Sequence, residues 1–304
     1  MGSPRAALSH LVSVMRARGV RRLLLTRVLP VVLIVPLLLQ ILLADIIGKD
    51  PRLFPPALRQ AKNLLIVTAH PDDECLFFSP SVLGVLSGNP DITGSLIVLS
   101  TGNNYGLGET RKKELQGSCA ALGIDPARCL ALDNAELQDN PKVWWDEDAI
   151  ISVVKKYVKK WNTDLIITFD SGGISGHINH RAVSAAVSTK ENPSKYAATD
   201  DLAPATYVLS SVGLLRKYTL LGDLPLTALP FTWRIMGALL SRGNEQDESF
   251  DDKALLASSW MSYLKTRQAF RSHESQYSWD RNLYMILARQ VWFNDIRRVQ
   301  KAQM

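Results

Sequence analysis

Short apolar runs alternate with amphipathic stretches between residues 64 and 190. Four runs have the length and composition of buried strands: LLIVTA (64–69), GSLIVLS (94–100), RCLALD (128–133) and DLIITFD (164–170). Helical spacing of apolar residues is found between these runs and after the fourth, at residues 74–86, 110–123, 146–161 and 177–190. This alternation predicts an α/β fold with a Rossmann-like, mostly parallel sheet and helices on both faces.

The alternation weakens beyond residue 200. Residues 205–221 indicate a strand followed by a helix, whereas residues 224–240 are apolar but are interrupted by two prolines. We expect the second stretch to be either core or a membrane-apposed surface, because it is too broken for a second span. The polar run 242–253 predicts a loop, and a helical pattern is expected from there to the C-terminus.

The most apolar stretch of the chain is VLPVVLIVPLLLQILLA, residues 28–44, in which Gln40 is the only polar side chain. A cleaved signal peptide usually has a shorter apolar core, and a buried helix does not explain two prolines and the lack of a polar face. A single transmembrane helix fits best. We therefore expect a basic tail at 1–27, a transmembrane anchor at 28–47, a linker at 48–63 and a folded domain at 64–304.

The charge of the chain is concentrated near its N-terminus. The formal net charge is +6, and residues 1–50 alone, with seven basic and two acidic side chains, carry +5 of it. This distribution favours an anionic membrane surface as the partner and argues against nucleic acid. Within about 20 residues of the apolar stretch, five basic residues precede it and four follow it, so the charges do not predict its orientation.

The cysteine content does not indicate a disulfide scaffold. Cys75, Cys119 and Cys129 form no CxxC motif and leave an odd number, which fits a reducing compartment. We expect Cys75 to pack as a small apolar residue.

Two polar segments follow predicted strands and contain metal-ligand types. AHPDDE places His70, Asp72 and Asp73 after the first strand, and SGHINH places His177 and His180 after the fourth. Sites in open α/β sheets form at the carboxyl ends of the strands, and imidazole with carboxylate suits zinc. Either segment alone could be a satisfied histidine or a helix cap. Together they predict a metal site.

These motifs resemble those of the PIG-L/LmbE-like zinc deacetylases, and in particular the GPI-pathway branch that removes acetate from N-acetylglucosaminyl-phosphatidylinositol. AHPDDE, GLGETRKKEL, LQD and SGHINH occur in the family's order between residues 62 and 190, and RSHESQYSWDRNLY near the C-terminus is similar to the GPI branch. The resemblance implies a membrane-anchored de-N-acetylase catalytic domain at 64–304, in the endoplasmic reticulum membrane and facing the cytosol. The glycolipid would be the substrate, and the protein partners are not indicated.

Carried over position by position, the resemblance implies that His70, Asp73 and His180 bind Zn²⁺ or another divalent metal. Asp72 would be the general base and His177 the electrophilic or acid partner. Two further residues are candidates for substrate binding. Arg111 would bind the inositol phosphate or the sugar, and Asp139 would bind sugar hydroxyls.

Two further features, a glycine-rich loop and one histidine, lie outside this set. GNNYGLG lacks the Gly-Lys-Ser/Thr of a P-loop, so it is interpreted as a mobile active-site loop. His273 is expected to be structural. Two other functions stay open: a de-N-acetylase of another N-acetyl sugar conjugate, and a non-catalytic membrane-tethered scaffold.

Overall fold

The computed structural model describes residues 18–89, 91–188, 204–241 and 253–299. Seven strands form one sheet with the order β3-β2-β1-β4-β5-β7-β6. The strands are β1 (Asn63–Thr68), β2 (Thr93–Val98), β3 (Cys129–Ala131), β4 (Leu165–Phe169), β5 (Ala205–Leu209), β6 (Lys253–Ala257) and β7 (Phe293–Arg298). The first five are parallel, and β7 and β6 add an antiparallel edge. The predicted mostly parallel α/β fold is confirmed.

The helices of the domain lie in two groups. They are Pro56–Gln60, Asp73–Leu76, Ser79–Gly88, Gly108–Leu122, Glu147–Trp161, Gly173–Gly176, Ile178–Ser188, Leu214–Lys217, Leu224–Ala228, Thr232–Leu239, Trp260–Ser272 and Trp279–Leu287. Gly108–Leu122 packs against Trp260–Ser272, whereas Glu147–Trp161 packs against Ile178–Ser188. β2 and β3 are added on one side of β1, whereas β4 and β5 are added on its other side. Right-handed crossovers therefore place the two groups of helices on opposite faces of the sheet.

An apolar helix, Val20–Ile46, precedes the domain; its 27 residues are long and apolar enough to cross a membrane. We call it the N-terminal helix. Pro36, Gln40 and Leu43 are buried on one side of its second half. Leu43 packs in a cluster with Leu224 and Phe293. The N-terminal helix is therefore attached to the domain along part of its length. The first 17 residues of the expected basic tail lie outside the described residues.

The expectation of helix from residue 253 to the C-terminus is wrong at two places. Lys253–Ala257 and Phe293–Arg298 are the antiparallel strands β6 and β7. KALLA consists of good helix formers, and its pairing with β7 overrides that local preference. The expected loop at 242–253 lies outside the described residues apart from Lys253, which begins β6.

The cysteines were not expected to form a disulfide scaffold, yet two of the three form one disulfide bond. Cys119, in helix Gly108–Leu122, is bonded to Cys129 at the start of β3. Their positions are only 10 apart in sequence, yet the turn after the helix brings them together. Cys75 is free and buried, as expected.

Candidate active site

The predicted metal ligands meet where β1 and β4 lie side by side. His70 and Asp73 follow β1, while His177 and His180 follow β4. The connection after β1 leads to one side of the sheet and the connection after β4 leads to the other. The two connections therefore diverge, and a crevice opens between them at the carboxyl ends of β1 and β4. Two segments about 110 positions apart in sequence are thereby brought into contact.

The donor atoms of His70, Asp73 and His180 have the spacing of a common ligand set. His180 Nε2 lies 3.3 Å from His70 Nδ1 and 3.2 Å from Asp73 Oδ1. Asp73 Oδ2 lies 3.9 Å from His70 Nδ1. Ligand atoms around a tetrahedral zinc ion, with bonds of 2.0–2.1 Å, are about 3.3 Å apart. The three residues are thus close enough to share one ion, and His177 offers a further candidate ligand atom within 4.8 Å of those of His70 and His180.

Outer contacts orient each of these ligands. His180 Nδ1 lies 3.0 Å from the Gly173 carbonyl oxygen, so Nε2 is turned toward the ligand set. Asp73 Oδ2 accepts the backbone N–H groups of Ala69 and His70, which leaves Oδ1 facing His180. Histidine ligands held in this way by a carbonyl or carboxylate are typical of zinc sites. The surroundings of the set therefore also fit a metal.

Asp73 is ionised in this environment. Burial alone would raise the pKa of its carboxyl, but the imidazole of His180 and the contacts with His70 outweigh burial and hold the pKa well below its usual range. A buried, ionised carboxylate between two imidazoles is a strong ligand for a divalent cation.

Asp72 points into the same crevice with different partners. Its side chain is buried, and its Oδ2 forms an ion pair with Arg281 and lies 3.5 Å from Arg111 Nη2. Burial raises the pKa of the Asp72 carboxyl, and the two arginines oppose this rise. A carboxyl with a raised pKa beside a metal site is suited to accept a proton. Its role as the general base stays a prediction.

His177 lies half-buried beside the ligands. Its ring centroid is 4.9 Å from that of His70 and 5.1 Å from that of His180. Burial and the two neighbouring imidazoles lower the pKa of His177 to about 4. Its Nδ1 accepts the backbone N–H of Asn179, so the neutral ring carries its proton on Nε2. His177 can therefore donate a hydrogen bond without carrying charge.

The two substrate candidates line the site, but both already have protein partners. Arg111 donates to the carbonyl oxygens of Gly102 and Pro71 and is almost fully buried. Asp139 Oδ1 lies 3.2 Å from His70 Nε2, where it can orient that ring. Their contacts with substrate stay predictions, and the orientation of His70 by Asp139 was not expected from the sequence.

The structure adds two cations that the sequence did not single out. Arg281, from helix Trp279–Leu287, reaches Asp72, and Lys217 lies over the rings of Tyr218 and Tyr284. Arg281 stands inside the SWDRNLY segment noted above, so the C-terminal resemblance was a usable signal for it. No sequence signal indicated Lys217, because a single lysine in an apolar stretch is usually at the surface.

A second buried group supports the turn beneath Asp72. Glu74 Oε1 accepts from Ser118 at 2.5 Å and lies 2.7 Å from His273 Nε2, and its Oε2 accepts the Asp72 N–H at 2.9 Å. Glu74, Cys75 and His273 are also close enough together to hold an ion. However, the Glu74 oxygens are already hydrogen-bonded, and burial raises the pKa of the Cys75 thiol well above its usual value. We assign this group a structural role, as was expected for His273.

A cavity of about 730 Å³ opens over the ligand set. Its floor contains His70, Asp73 and His180, and its walls include Lys217, Tyr218, Trp279, Arg281 and Leu283. The floor is thus polar and acidic, whereas one wall combines cationic and apolar side chains. Such a cavity is large enough for a sugar with a charged, partly apolar extension.

Comparison with known proteins identifies relatives that match most of this chain. The sequence profile of the PIG-L family, described as GlcNAc-PI de-N-acetylase, matches residues 65–190. The chain is 37% identical over 232 residues to the N-acetylglucosaminyl-phosphatidylinositol de-N-acetylase of Bos taurus, covering 76% of this chain and 81% of that protein. It is 32% identical over 245 residues to the Saccharomyces cerevisiae protein of the same name, covering 76% and 79%.

Among solved structures, a deacetylase of the teicoplanin biosynthesis pathway aligns with a TM-score of 0.50 at 12% identity, covering 80% of this chain and 99% of that one. This similarity concerns the fold. With two relatives above 30% identity matched over most of their length, the chain belongs to the PIG-L family of GlcNAc-PI de-N-acetylases.

Proposed function

We propose that this protein hydrolyses the N-acetyl group of N-acetylglucosaminyl-phosphatidylinositol and releases acetate and glucosaminyl-phosphatidylinositol. The observation that carries the proposal is the convergence of His70, Asp73 and His180 beside Asp72 at the floor of the cavity. The names of the Bos taurus and Saccharomyces cerevisiae relatives support the same substrate.

His70, Asp73 and His180 would hold the zinc ion. Three protein ligands are typical of catalytic zinc, which when bound supplies Lewis acidity toward water and the amide carbonyl. Asp139 and the Gly173 carbonyl would keep the two imidazoles turned toward the ion.

Asp72 and His177 would perform the proton transfers and stabilise charge. Asp72 accepts the proton of the attacking water, because its carboxyl faces the cavity and its pKa is raised by burial. The Nε2–H of His177 donates a hydrogen bond to the oxyanion that develops on the amide oxygen. Asp72, which then carries the proton taken from water and lines the cavity, passes that proton to the departing amine.

Charge and location support a phospholipid-linked sugar as the substrate. Lys217 and Arg281 in the cavity wall could pair with the phosphodiester, beside the apolar side chains of Trp279 and Leu283. The N-terminal helix would anchor the enzyme in the bilayer that contains the lipid. Following the resemblance, we place the protein in the endoplasmic reticulum membrane with its domain in the cytosol.

The test is an assay of the purified full chain in detergent with the glycolipid as substrate. We expect acetate release that a chelator abolishes and added zinc restores. A soluble N-acetylglucosaminide serves as the comparison: faster turnover of that compound would favour the other sugar conjugates. Activity that survives complete removal of the metal would overturn the proposed chemistry, and a lack of activity on both substrates would favour the scaffold.

A further inference from the structure

The N-terminal helix is covered by the domain along only part of its length. All side chains from Val31 to Val35 are exposed, whereas Pro36, Gln40, Leu43 and Ile47 are buried against the domain. Gln40 Nε2 donates to the carbonyl oxygens of Ser258 at 2.7 Å and Trp292 at 3.0 Å. This bond fixes the depth at which the domain meets the helix.

The uncovered part is too short to cross a membrane by itself. The N-terminal helix begins at Val20 and coverage begins at Pro36, which leaves residues 20–35, or about 24 Å of helix that includes three arginines. The hydrocarbon core of a bilayer is about 30 Å thick and needs about 20 residues of helix. A bilayer crossed by this helix must therefore also surround residues 36–47, together with the parts of the domain that pack on them.

The parts of the domain that pack there expose an apolar stripe. Helix Leu224–Ala228 contacts the N-terminal helix, and helix Thr232–Leu239 follows it directly. At steps of three and four positions their outer side carries exposed apolar residues: Leu226, Leu229, Trp233, Met236 and Leu240. We call this set the apolar stripe. Trp233 is 79% exposed, an unusual state for tryptophan against water.

Charge is missing from the surface of this segment. Between residues 221 and 241 only Asp223 and Arg234 are charged, and both are buried. A surface facing water, or a typical transient protein partner, has a polar rim. An exposed apolar stripe without charges, continuous with a helix able to span a membrane, fits lipid.

The same segment leads directly to the cavity. Lys217 and Tyr218 line the cavity, and Leu221 and Leu224, a few residues later, pack in the cluster that contains Leu43. The Leu220 N–H donates to the Leu287 carbonyl oxygen, which joins this segment to helix Trp279–Leu287 in another part of the cavity wall.

We propose that the apolar stripe inserts into the lipid bilayer beside the N-terminal helix and holds the mouth of the cavity at the membrane surface. The proposal rests on one part of the proposed function, namely that the N-terminal helix crosses a membrane. A glycolipid could then enter the site with its acyl chains still in the bilayer.

The first experiment measures contact with lipid. Leu229→Cys and Trp233→Cys, each in the full chain, are labelled with an environment-sensitive fluorophore and reconstituted into phosphatidylcholine vesicles. Native thiols interfere little, because Cys75, Cys119 and Cys129 are all fully buried. Lys159→Cys, exposed on helix Glu147–Trp161, is the control.

We expect brominated phosphatidylcholine to quench most of the emission at 229 and 233 and to leave the label at 159 unchanged. Equal quenching at all three positions, or none, would overturn the proposal. Emission at 233 that depends on protein concentration and not on bromination would assign the stripe to a second copy of the chain, which also overturns it.

The second experiment separates this proposal from the proposed function. Trp233→Glu should lower turnover of the glycolipid in vesicles by about tenfold or more, since a charge in the bilayer surface is costly. Turnover of the soluble N-acetylglucosaminyl-inositol phosphate should not change. Equal turnover of the glycolipid by wild type and by Trp233→Glu would contradict the proposal. If wild type hydrolyses neither substrate, the proposed function fails while the quenching pattern still decides the position of the stripe.

Discussion

Asp72 combines a strained backbone with a buried, paired side chain. Its φ of 106° lies in the left-handed region, which costs a residue with a Cβ on the order of 1–3 kcal/mol. Glu74 accepts its N–H, and Arg281 pairs with its carboxylate. Strain of this size persists where the surroundings determine the conformation, and here it directs the carboxylate into the cavity.

The role of Asp72 can be tested by an isosteric change. Asp72→Asn retains the shape of the side chain and the three ligands but cannot accept a proton. We expect zinc content equal to that of wild type, with kcat lower by about 10²–10⁴-fold. Metal analysis and steady-state kinetics on the same preparation check both parts, and undiminished turnover would refute Asp72 as the base.

Removal of a predicted metal ligand should lower the zinc content, in contrast to Asp72→Asn. His180→Ala removes one imidazole and leaves Asp73 and His70 with a vacant position, so the zinc content should fall to a small fraction of one per chain. Asp72→Asn, which should retain its metal, is the matched control. A His180→Ala protein with stoichiometric zinc would show that the ligand set is different.

His273 should contribute stability that depends on pH. Burial alone would lower its pKa, but the Glu74 carboxylate outweighs burial and raises it above 6.5. Burial alone would likewise raise the pKa of Glu74, and His273 with Ser118 brings it below 4.5. The pair is therefore fully charged in the folded state between these two values.

The corresponding variant is His273→Gln, which can hydrogen-bond to Glu74 but carries no charge. We expect a loss of about 1–3 kcal/mol in the free energy of unfolding. Because the pKa of His273 is raised in the folded state, the stability that it contributes is fully present below pH 6.5 and is lost as pH rises through the raised pKa. The difference in stability between variant and wild type should therefore be largest between pH 4.5 and 6.5 and become smaller at higher pH. Thermal unfolding across this range measures it; a difference that grows with pH would contradict the assignment.

At the scale of elements, the loop after β2 depends on a close approach between backbone and side chain. Gly102 has a φ of 71°, and a Cβ at this position would overlap the guanidinium of Arg111. Gly106, in the same loop, has a φ of 75° with no atom within 4 Å of the same point. The two glycines therefore have similar backbone conformations, but only Gly106 has room for a side chain.

This difference gives a matched pair of variants. Gly106→Ala should cost only the left-handed backbone, about 1–2 kcal/mol. Gly102→Ala should cost about 1–3 kcal/mol more and raise KM, because Arg111 must move from its place beneath Asp72. Unfolding and steady-state measurements on both variants check this, and equal effects would exclude the steric explanation.

The elements show how far sequence reasoning extends. β1 to β5 were predictable because buried parallel strands are continuous apolar runs. The convergence of His70, Asp73 and His180 was predictable because these residues stand at the ends of two such runs. β6 and β7 were missed, since KALLA favours helix locally and FNDIRR is half polar, and only their pairing makes them strands. Arg281 and Lys217 lie on helices that the sequence predicts, but the position of these helices beside the cavity depends on contacts that the sequence does not show.

At the scale of the whole molecule, the disulfide bears on which side of the membrane the domain faces. Disulfides are rare in the cytosol, where thiols are kept reduced, whereas the lumen of the endoplasmic reticulum favours them. The Cys119–Cys129 bond thus favours the lumen, in contrast to the cytosolic placement that the resemblance implies.

Thiol labelling in cells can decide between these placements. If the domain is cytosolic, as proposed, Cys119 and Cys129 should be free, and denaturation with a maleimide present should modify all three cysteines. Cys119→Ser serves as the control for the shift caused by each thiol. Modification of Cys75 alone, with full labelling only after reduction, would place the domain in the lumen.

The five residues of the predicted centre lie between positions 70 and 180, whereas Lys217, Arg281 and the apolar stripe come later in the chain. Selection can therefore remodel most of the later part while the predicted metal ligands are inherited unchanged, provided that Arg281 and His273, which contact Asp72 and Glu74, are kept. A chimaera that receives residues 204–299 from a relative with another preference should keep its metal and acquire the donor's choice of conjugate.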